Sequence, residues 1–317
     1  MNPEQIKRRR QEVVKQFGDW TAHNIHLKDD LYTYVQDHPR YNDQIIQHGI
    51  HLRRVVQIVA DIVNQPLRSL RVLDLACLEG LYGIEFARHG ATVVAIEGRE
   101  ANIEKARFAK DALSLENIMV VHDDVRSLNV EKYGRFDVVL CLGILYHLDA
   151  PDVFHFLEGM SEICQRLAII DTQIGIKADR SYIFRGLRYD GWSYTEHKPE
   201  SSMDERLTRP WASLDNEKSF WFTRPSLFNV LADVGFTSVY TCDNPAVPGQ
   251  LSDRDTLVAI KGQRQELFST PTVNSLPEER RSDSTQVGVS PSQRAQANRK
   301  IGRFIQRIRG LARKGLS

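Results

Sequence analysis

The sequence predicts a doubly wound α/β fold, with a seven-stranded, mostly parallel sheet covered by helices on both faces. Three observations predict it. From residue 70 onward, short apolar β-branched runs alternate with helical spacings. The runs are apolar on successive residues rather than on every second one, as in strands buried on both faces. The last two runs have no helix between them, so they should be antiparallel neighbours.

The elements follow in order. "LRVLDLA" is the first strand and "LYGIEFARHG" a helix ending at Gly90. "ATVVAIEG" is the second strand. "REANIEKARFAKDALSL" then places Ile103, Ala106, Ala109, Ala112 and Leu113 on one helical side. "NIMVVHDD" and "FDVVLCLGIL" are the third and fourth strands. "APDVFHFLEGMSEICQ" is a helix with Pro151 near its start, where a proline is tolerated. "RLAIIDTQI" is the fifth strand and "RPSLFNVLADVGF" the last helix. "FTSVYTCD" and "DTLVAIKG" form the terminal hairpin around a turn-rich "NPAVPGQLSDR".

Other segments stand outside this sheet. Residues 1–66 read as a helical, aromatic N-terminal segment, and 67–263 as the main domain. Within it, residues 174–222 interrupt the alternation without clear strands and hold nine aromatics, among them Tyr182, Trp192, Tyr194, Trp211 and Trp221. Such density argues against disorder, so this is expected to be a cap over the carboxyl ends of the strands. Residues 264–293, rich in Ser, Gln, Pro, Thr and Arg, read as a flexible linker. Residues 294–317 carry eight basic groups and no acid; setting these aside from the net charge of +1 leaves the rest at −7. The whole chain is therefore not a nucleic-acid binder by charge, but the tail places Ile301, Phe304, Ile305, Ile308 and Leu311 opposite its Arg and Lys residues. That pattern fits an anionic membrane surface, an RNA-binding arm, or a helix docked on a protein.

Four cysteines, Cys77, Cys141, Cys164 and Cys242, form no C-x-x-C pair and no metal spacing. They read as free thiols in a reducing compartment. "MNPEQIKRRRQEVVKQF" lacks the apolar core of a secretory signal. The expected location is cytoplasmic, with peripheral attachment to the inner membrane surface if the tail serves as an anchor.

The site is expected at the carboxyl ends of the strands. "DLACLEG" ends the first strand in Asp74 and opens the first helix, with Ala76, Leu78 and Gly80 at the spacing of a G-x-G-x-G turn. Ala76 and Gly80 permit close approach of a ligand to the backbone, whereas Leu78 has to point away. The loop is poor for a pyrophosphate and adequate for an uncharged nucleoside with an amino-acid tail. Glu97, 23 residues after Asp74, suits the two hydroxyls of a ribose. Asp124 suits an exocyclic adenine amine, with the Val125 N–H facing the ring.

The stretch "VLDLACLEG…AIEG…VHDDVRSL…FDVVLCLGILYHLDAP" resembles the class I S-adenosylmethionine-dependent methyltransferases, over roughly residues 68–262. The resemblance implies a Rossmann-like seven-stranded sheet with a terminal hairpin, and S-adenosyl-L-methionine as cofactor. It implies that Asp74, Ala76 and Gly80 line the methionine part, that Glu97 holds the ribose, and that Asp124 and Val125 hold the adenine. Leu142, Gly143 and Ile144 would lie under the sulfonium. The first loop departs from the pattern, with Ala76 and Leu78 standing where glycines are usual. The N-terminal "WTAHNIHLKDDLYTYVQDHPRYNDQ" is similar to lead-in segments that close over the cofactor. Trp20, His23 and Tyr41 are thus gate candidates, or else aromatics packed on the outer helices.

Methyl transfer needs an aligned nucleophile and exclusion of water. A hydroxyl acceptor also calls for a general base near the end of strand four. His147 is the first candidate, with packing at the start of the next helix as the other reading. Tyr146 is a second candidate, and Asp171 is either an orienting carboxylate or a turn cap. Glu196, His197 and Trp192 could reach in from the cap. The sequence thus predicts an O-methyltransferase acting on a small-molecule or carbohydrate/glycolipid acceptor, the aromatic cap stacking on sugar faces. It leaves open a tRNA wobble-uridine-type alkyltransferase and a non-catalytic cofactor-binding scaffold.

Overall fold

Two faces of one sheet bury two separate hydrophobic clusters, and alternate residues of each strand feed opposite ones. Val72, Val93, Ala95, Val138 and Leu140 enter one cluster. Leu73, Leu75, Val94, Ile96, Val139 and Cys141 enter the other. This is why the strands read as continuous apolar runs.

The computed structural model describes residues 1–243 and 253–275, apart from the side chains of 43–47. The expected basic helix 294–317, and the expected linker beyond residue 275, lie outside the described residues. The chain begins with α1 (Pro3–Phe17), a hairpin of β1 (His26–Lys28) and β2 (Leu31–Tyr32), and α2 (Tyr41–Val63). The N-terminal segment is therefore not helical throughout. The main sheet follows with β3 (Arg71–Leu75), α3 (Leu81–Arg88), β4 (Thr92–Glu97), α4 (Glu100–Ala112), β5 (Ile118–His122), the short α5 (Val130–Tyr133), β6 (Phe136–Leu142), α6 (Asp152–Ile163) and β7 (Cys164–Gln173).

The expected strandless cap is instead built on a small sheet. β8 (Arg180–Phe184) and β9 (Leu187–Thr195) form a hairpin, α7 (Met203–Thr208) follows, and β10 (Lys218–Phe222) pairs with β9. The Arg185-Gly186 turn has positive φ at both residues, +52° and +77°, the geometry that matches the twist of a two-residue hairpin. α8 (Arg224–Asp233), β11 (Ser238–Thr241) and β12 (Arg254–Ile260) complete the main sheet. Its order is β11-β12-β7-β6-β3-β4-β5, with β12 antiparallel to both neighbours. The fold is the doubly wound seven-stranded sheet with a terminal hairpin.

Helices α1 to α4 cover one face and α6 with α8 the other. On α6, Val153, Phe154, Leu157 and Met160 have no exposed surface. Each such side chain contributes roughly 1.5–3 kcal/mol of transfer free energy. The cap aromatics explain how the small sheet is held. Tyr182, Phe184, Tyr189, Phe220 and Phe222 all gather around Phe154, with ring centroids 4.9–5.7 Å apart. Most of the aromatic density foreseen for stacking on a ligand is thus spent on core packing. Among the described residues, no helix is long and apolar enough to cross a membrane.

Candidate active site

A cavity of about 640 Å³ opens where β3, β4, β6 and β7 end and the antiparallel β12 begins, within the usual range for small-molecule sites. α2 and the cap segment 210–214 close its sides.

The first loop keeps the path of a glycine-rich turn without the glycines. Ala76 and Leu78 both take φ +52°, and Gly80 φ +88°. For a residue with a Cβ, this left-handed conformation costs about 1–2 kcal/mol. The surroundings hold it in place. Cys77 N–H donates to the Ile96 carbonyl at 2.9 Å, and Leu78 N–H donates to Glu97 Oε2 at 2.9 Å. Ala76 and Leu78 both line the cavity, so Leu78 does not leave it as expected. Gly80 stands outside the lining, where a Cβ would meet Ala106 Cβ at 3.2 Å.

Asp74 is buried and accepts from Gly83 N–H at 2.8 Å. Burial raises its carboxyl from 3.8 to about 7; the Gly83 bond lowers it in part, and Glu97 pushes it further up. Glu97 also accepts from Arg99 N–H at 2.9 Å, and it lines the cavity beside Asp74. Val125, Leu142, Gly143 and Ile144 line it as well. Asp124 does not. Its carboxylate accepts from Arg126, which reaches on to Asp215 of the cap at 2.8 Å.

Of the three gate candidates, His23 lines the cavity, while Trp20 and Tyr41 do not. Trp20 is buried with its ring 5.5 Å from Phe108 on α4, and Tyr41 packs edge-on against Tyr32. His23 is carried into the site by Glu79, a residue the sequence reading passed over. The Glu79 carboxylate, wholly buried, accepts from the N–H groups of Thr21 (2.6 Å), Ala22 (3.1 Å) and His23 (2.8 Å). Lys105 Nζ stands 3.6 Å from it.

At the other end, His147, Tyr146 and Asp171 come together with residues of distant elements. His147 Nδ1 lies 3.0 Å from Glu196 Oε1. Glu196 is itself held by Ser213 N–H and Ser219 Oγ, each at 2.9 Å. Asp171 accepts from Arg254 Nε at 2.6 Å and from Thr256 Oγ1 at 2.9 Å, with buried Arg54 behind Thr256. Arg254 also bonds the Tyr146 hydroxyl, and burial pushes that phenol up in pKa, so it stays protonated. His48 and His51 of α2 complete this wall. Burial pulls both down, His48 to about 4, and pulls His23 well below its ordinary value. His197 instead bonds the Ser213 carbonyl at 2.9 Å, and Trp192 lies outside the lining; neither His197 nor Trp192 touches the cavity. Among the cap aromatics, Trp211 does line it.

This end of the cavity is therefore ringed by neutral imidazoles and one arginine–aspartate pair. The other end offers small residues, the acceptor carboxylates of Asp74 and Glu97, and apolar side chains, a lining that fits an adenosine with an amino-acid tail.

Residues 72–166 match the methyltransferase domain family. The N-terminal domain of EvdMO1 with S-adenosylhomocysteine bound superimposes with a TM-score of 0.62 at 22% identity, covering 83% of this chain and 98% of that one. The same domain with S-adenosylhomocysteine and D-fucose present gives 0.60 over the same shares. In sequence, a ubiquinone biosynthesis O-methyltransferase of Pelagibacter ubique is 30% identical over 122 residues, 38% of this chain and 48% of that protein. The protein of that name from Maricaulis maris is 37% identical over 91 residues, 29% of this chain and 35% of that protein. The chain spans half or less of the length of these curated relatives.

Proposed function

From a methyltransferase domain on a class I, S-adenosylmethionine-dependent methyltransferase fold, we propose that this chain methylates a hydroxyl of a small, neutral, carbohydrate-like acceptor. The observation that carries the reading is His147 at the cavity wall, paired with the buried Glu196 behind it. Glu196 engages Nδ1 and fixes the ring, which leaves Nε2 to accept the proton of an acceptor hydroxyl. Asp74, Ala76, Glu97, Val125, Leu142 and Gly143 would hold S-adenosylmethionine, which supplies a methyl group already activated on a sulfonium. The chain's own task is to orient the acceptor, take its proton and keep water out.

Neutral His23, His48 and His51 offer hydrogen bonds without charge, and the Arg254–Asp171 pair offers a donor and an acceptor side by side. That lining suits hydroxyls better than a carboxylate or a phosphate. The D-fucose present with the structurally similar EvdMO1 domain and the O-methyltransferase names of the sequence relatives agree with it. The test is incubation with S-adenosylmethionine and a panel of free deoxyhexoses, dihydroxylated aromatics and short RNA hairpins, with products read by mass spectrometry. O-methylated sugar, lost in His147→Ala, is the expected result. Methylated RNA alone, or binding of cofactor with no product from any class, would overturn it in favour of an RNA enzyme or a scaffold.

A further inference from the structure

The two ends of the cavity are joined by a single run of hydrogen bonds through the cap. It starts at the turn after β4. Arg99 N–H donates to Glu97 Oε1 at 2.9 Å, while its guanidinium turns outward to the cap. There it donates to four backbone carbonyls: Leu207 (3.2 Å), Arg209 (2.9 Å), Ala212 (2.8 Å) and Ser213 (3.0 Å). The residue between, Gly98, is pressed by the same segment, and a Cβ there would stand 2.5 Å from Leu214 Cδ1. The run continues from Ser213, whose N–H donates to Glu196 Oε2 at 2.9 Å. Glu196 then engages His147.

Four carbonyls converge on one guanidinium, one on Nε and three sharing the two hydrogens of Nη2, and such charge-assisted bonds are stronger than neutral ones. The segment they hold, 207–214, takes in only the last two residues of α7 and is otherwise irregular. Its Pro210, Trp211 and Ala212 line the cavity. Irregular backbone of this kind keeps its shape through such contacts.

We propose that Arg99 is a positioning residue that seats segment 207–214 on the cofactor turn and so holds Glu196 and His147 as a working pair. The proposal rests on the methyl-transfer reading for its consequence in catalysis, although the clasp itself is a property of the chain alone. It ties the acceptor end to the cofactor end: whatever settles the Glu97 turn also settles the carboxylate that orients His147.

The test uses the full chain with Arg99→Gln and Arg99→Lys. Amide hydrogen exchange is followed across segment 207–214 and across β3 to β7, with and without S-adenosylhomocysteine. The ¹⁵N shifts of the His147 ring report its Nδ1 bond. In Arg99→Gln, exchange in 207–214 is expected to rise at least tenfold with the central strands unchanged, and the His147 Nδ1 signature should be lost. Arg99→Lys should recover part of both. Where an acceptor is turned over, kcat should fall at least tenfold with a smaller change in acceptor KM. Unchanged exchange in 207–214, or an unchanged His147 ring in a loosened segment, overturns the proposal. Failure of the wild-type chain to bind S-adenosylhomocysteine would instead sink the methyl-transfer reading, and the exchange and ring data on the ligand-free chain would still judge the clasp.

Discussion

His147 Nδ1 and Glu196 Oε1 stand 3.0 Å apart, although 49 residues separate them in the chain. The carboxylate is almost wholly buried and has Ser213 N–H and Ser219 Oγ as further donors. A carboxylate so held is a fixed support for the imidazole. Replacing it with an amide removes the charge but keeps the shape. Glu196→Gln is expected to lower kcat by about 10- to 100-fold, and His147→Ala by about 10²–10⁴-fold, the usual contribution of a general base. Because the two act as a unit, the double variant should be no slower than His147→Ala alone. Steady-state kinetics on the four proteins of this cycle would decide it; additive losses would separate the two residues.

Glu79 is expected to be a main anchor of the N-terminal segment. It gathers three consecutive N–H groups, and Lys105 stands beside it with almost no exposed surface. Truncation to alanine leaves those donors without an acceptor and removes the carboxylate opposite the buried lysine, whose Nζ keeps only the Asp19 carbonyl at 2.6 Å. Breaking a buried pair in this way costs about 3–5 kcal/mol. Glu79→Ala should lower Tm by several degrees and expose residues 19–25 to hydrogen exchange. It should also weaken S-adenosylhomocysteine binding, since Ala22 and His23 line the cavity. Intact binding in the variant would mean that the segment is held by its apolar contacts alone.

What the sequence made legible follows from where each feature's partners lie. The main sheet could be read because Val93–Ile96 and Val138–Cys141 are buried on both faces, so the strand signal is continuous. β9 alternates Arg188, Asp190 and Trp192 with buried Tyr189 and Gly191 across a half-exposed sheet, and its turn is Arg-Gly rather than Asn-Gly. Its strand was therefore masked by aromatic density. Asp74 and Glu97 could be placed because position at a strand end fixes them. Glu79 and Arg99 could not, since their partners are backbone groups 56–58 and 108–114 residues away. A side chain that bonds backbone leaves no complementary residue to find. Arg254, His48 and His51 join the site from β12 and α2 through tertiary packing that no local spacing records. Asp124 lies two residues past the end of β5, where Arg126, two residues on, takes its carboxylate.

The left-handed residues of the first loop make a second test of stability. Ala76 and Leu78 hold φ +52° where glycine would sit without strain. Replacing Ala76 with glycine relieves about 1 kcal/mol or more of strain and gives back roughly 0.5–1 kcal/mol through the freer unfolded chain. Ala76→Gly should therefore leave Tm unchanged or slightly higher, against the usual loss of an Ala→Gly change. Leu78→Gly should widen the cavity and bind S-adenosylhomocysteine at least as well as the parent chain. A drop of several degrees in Ala76→Gly would mean that the alanine methyl packs more tightly than its half-buried state suggests.

Asp74 sets the pH dependence. Its carboxyl is raised by burial, with a further push from Glu97, to about 7 in the folded chain against 3.8 ordinarily. Below about pH 4 it is protonated in both states and costs nothing. As pH climbs toward 7 the unfolded chain ionises while the folded one keeps its proton, so stability falls by about 1.4 kcal/mol per pH unit. Above about 7 both are ionised and the penalty stays constant. Asp74→Asn removes it while keeping an oxygen for Gly83 N–H, so its gain in Tm should be larger at pH 8 than at pH 5. Ligand binding runs the other way. A cationic ligand favours the ionised carboxylate, so affinity for S-adenosylmethionine should rise between pH 6 and pH 8 and release a proton on binding below 7. Calorimetric titration in buffers of different ionisation enthalpy measures both quantities. In Asp74→Asn the affinity should be weaker and flat with pH. The same flat profile in the parent chain would place the cationic end of the ligand away from Asp74, and with it the orientation assigned to the whole site.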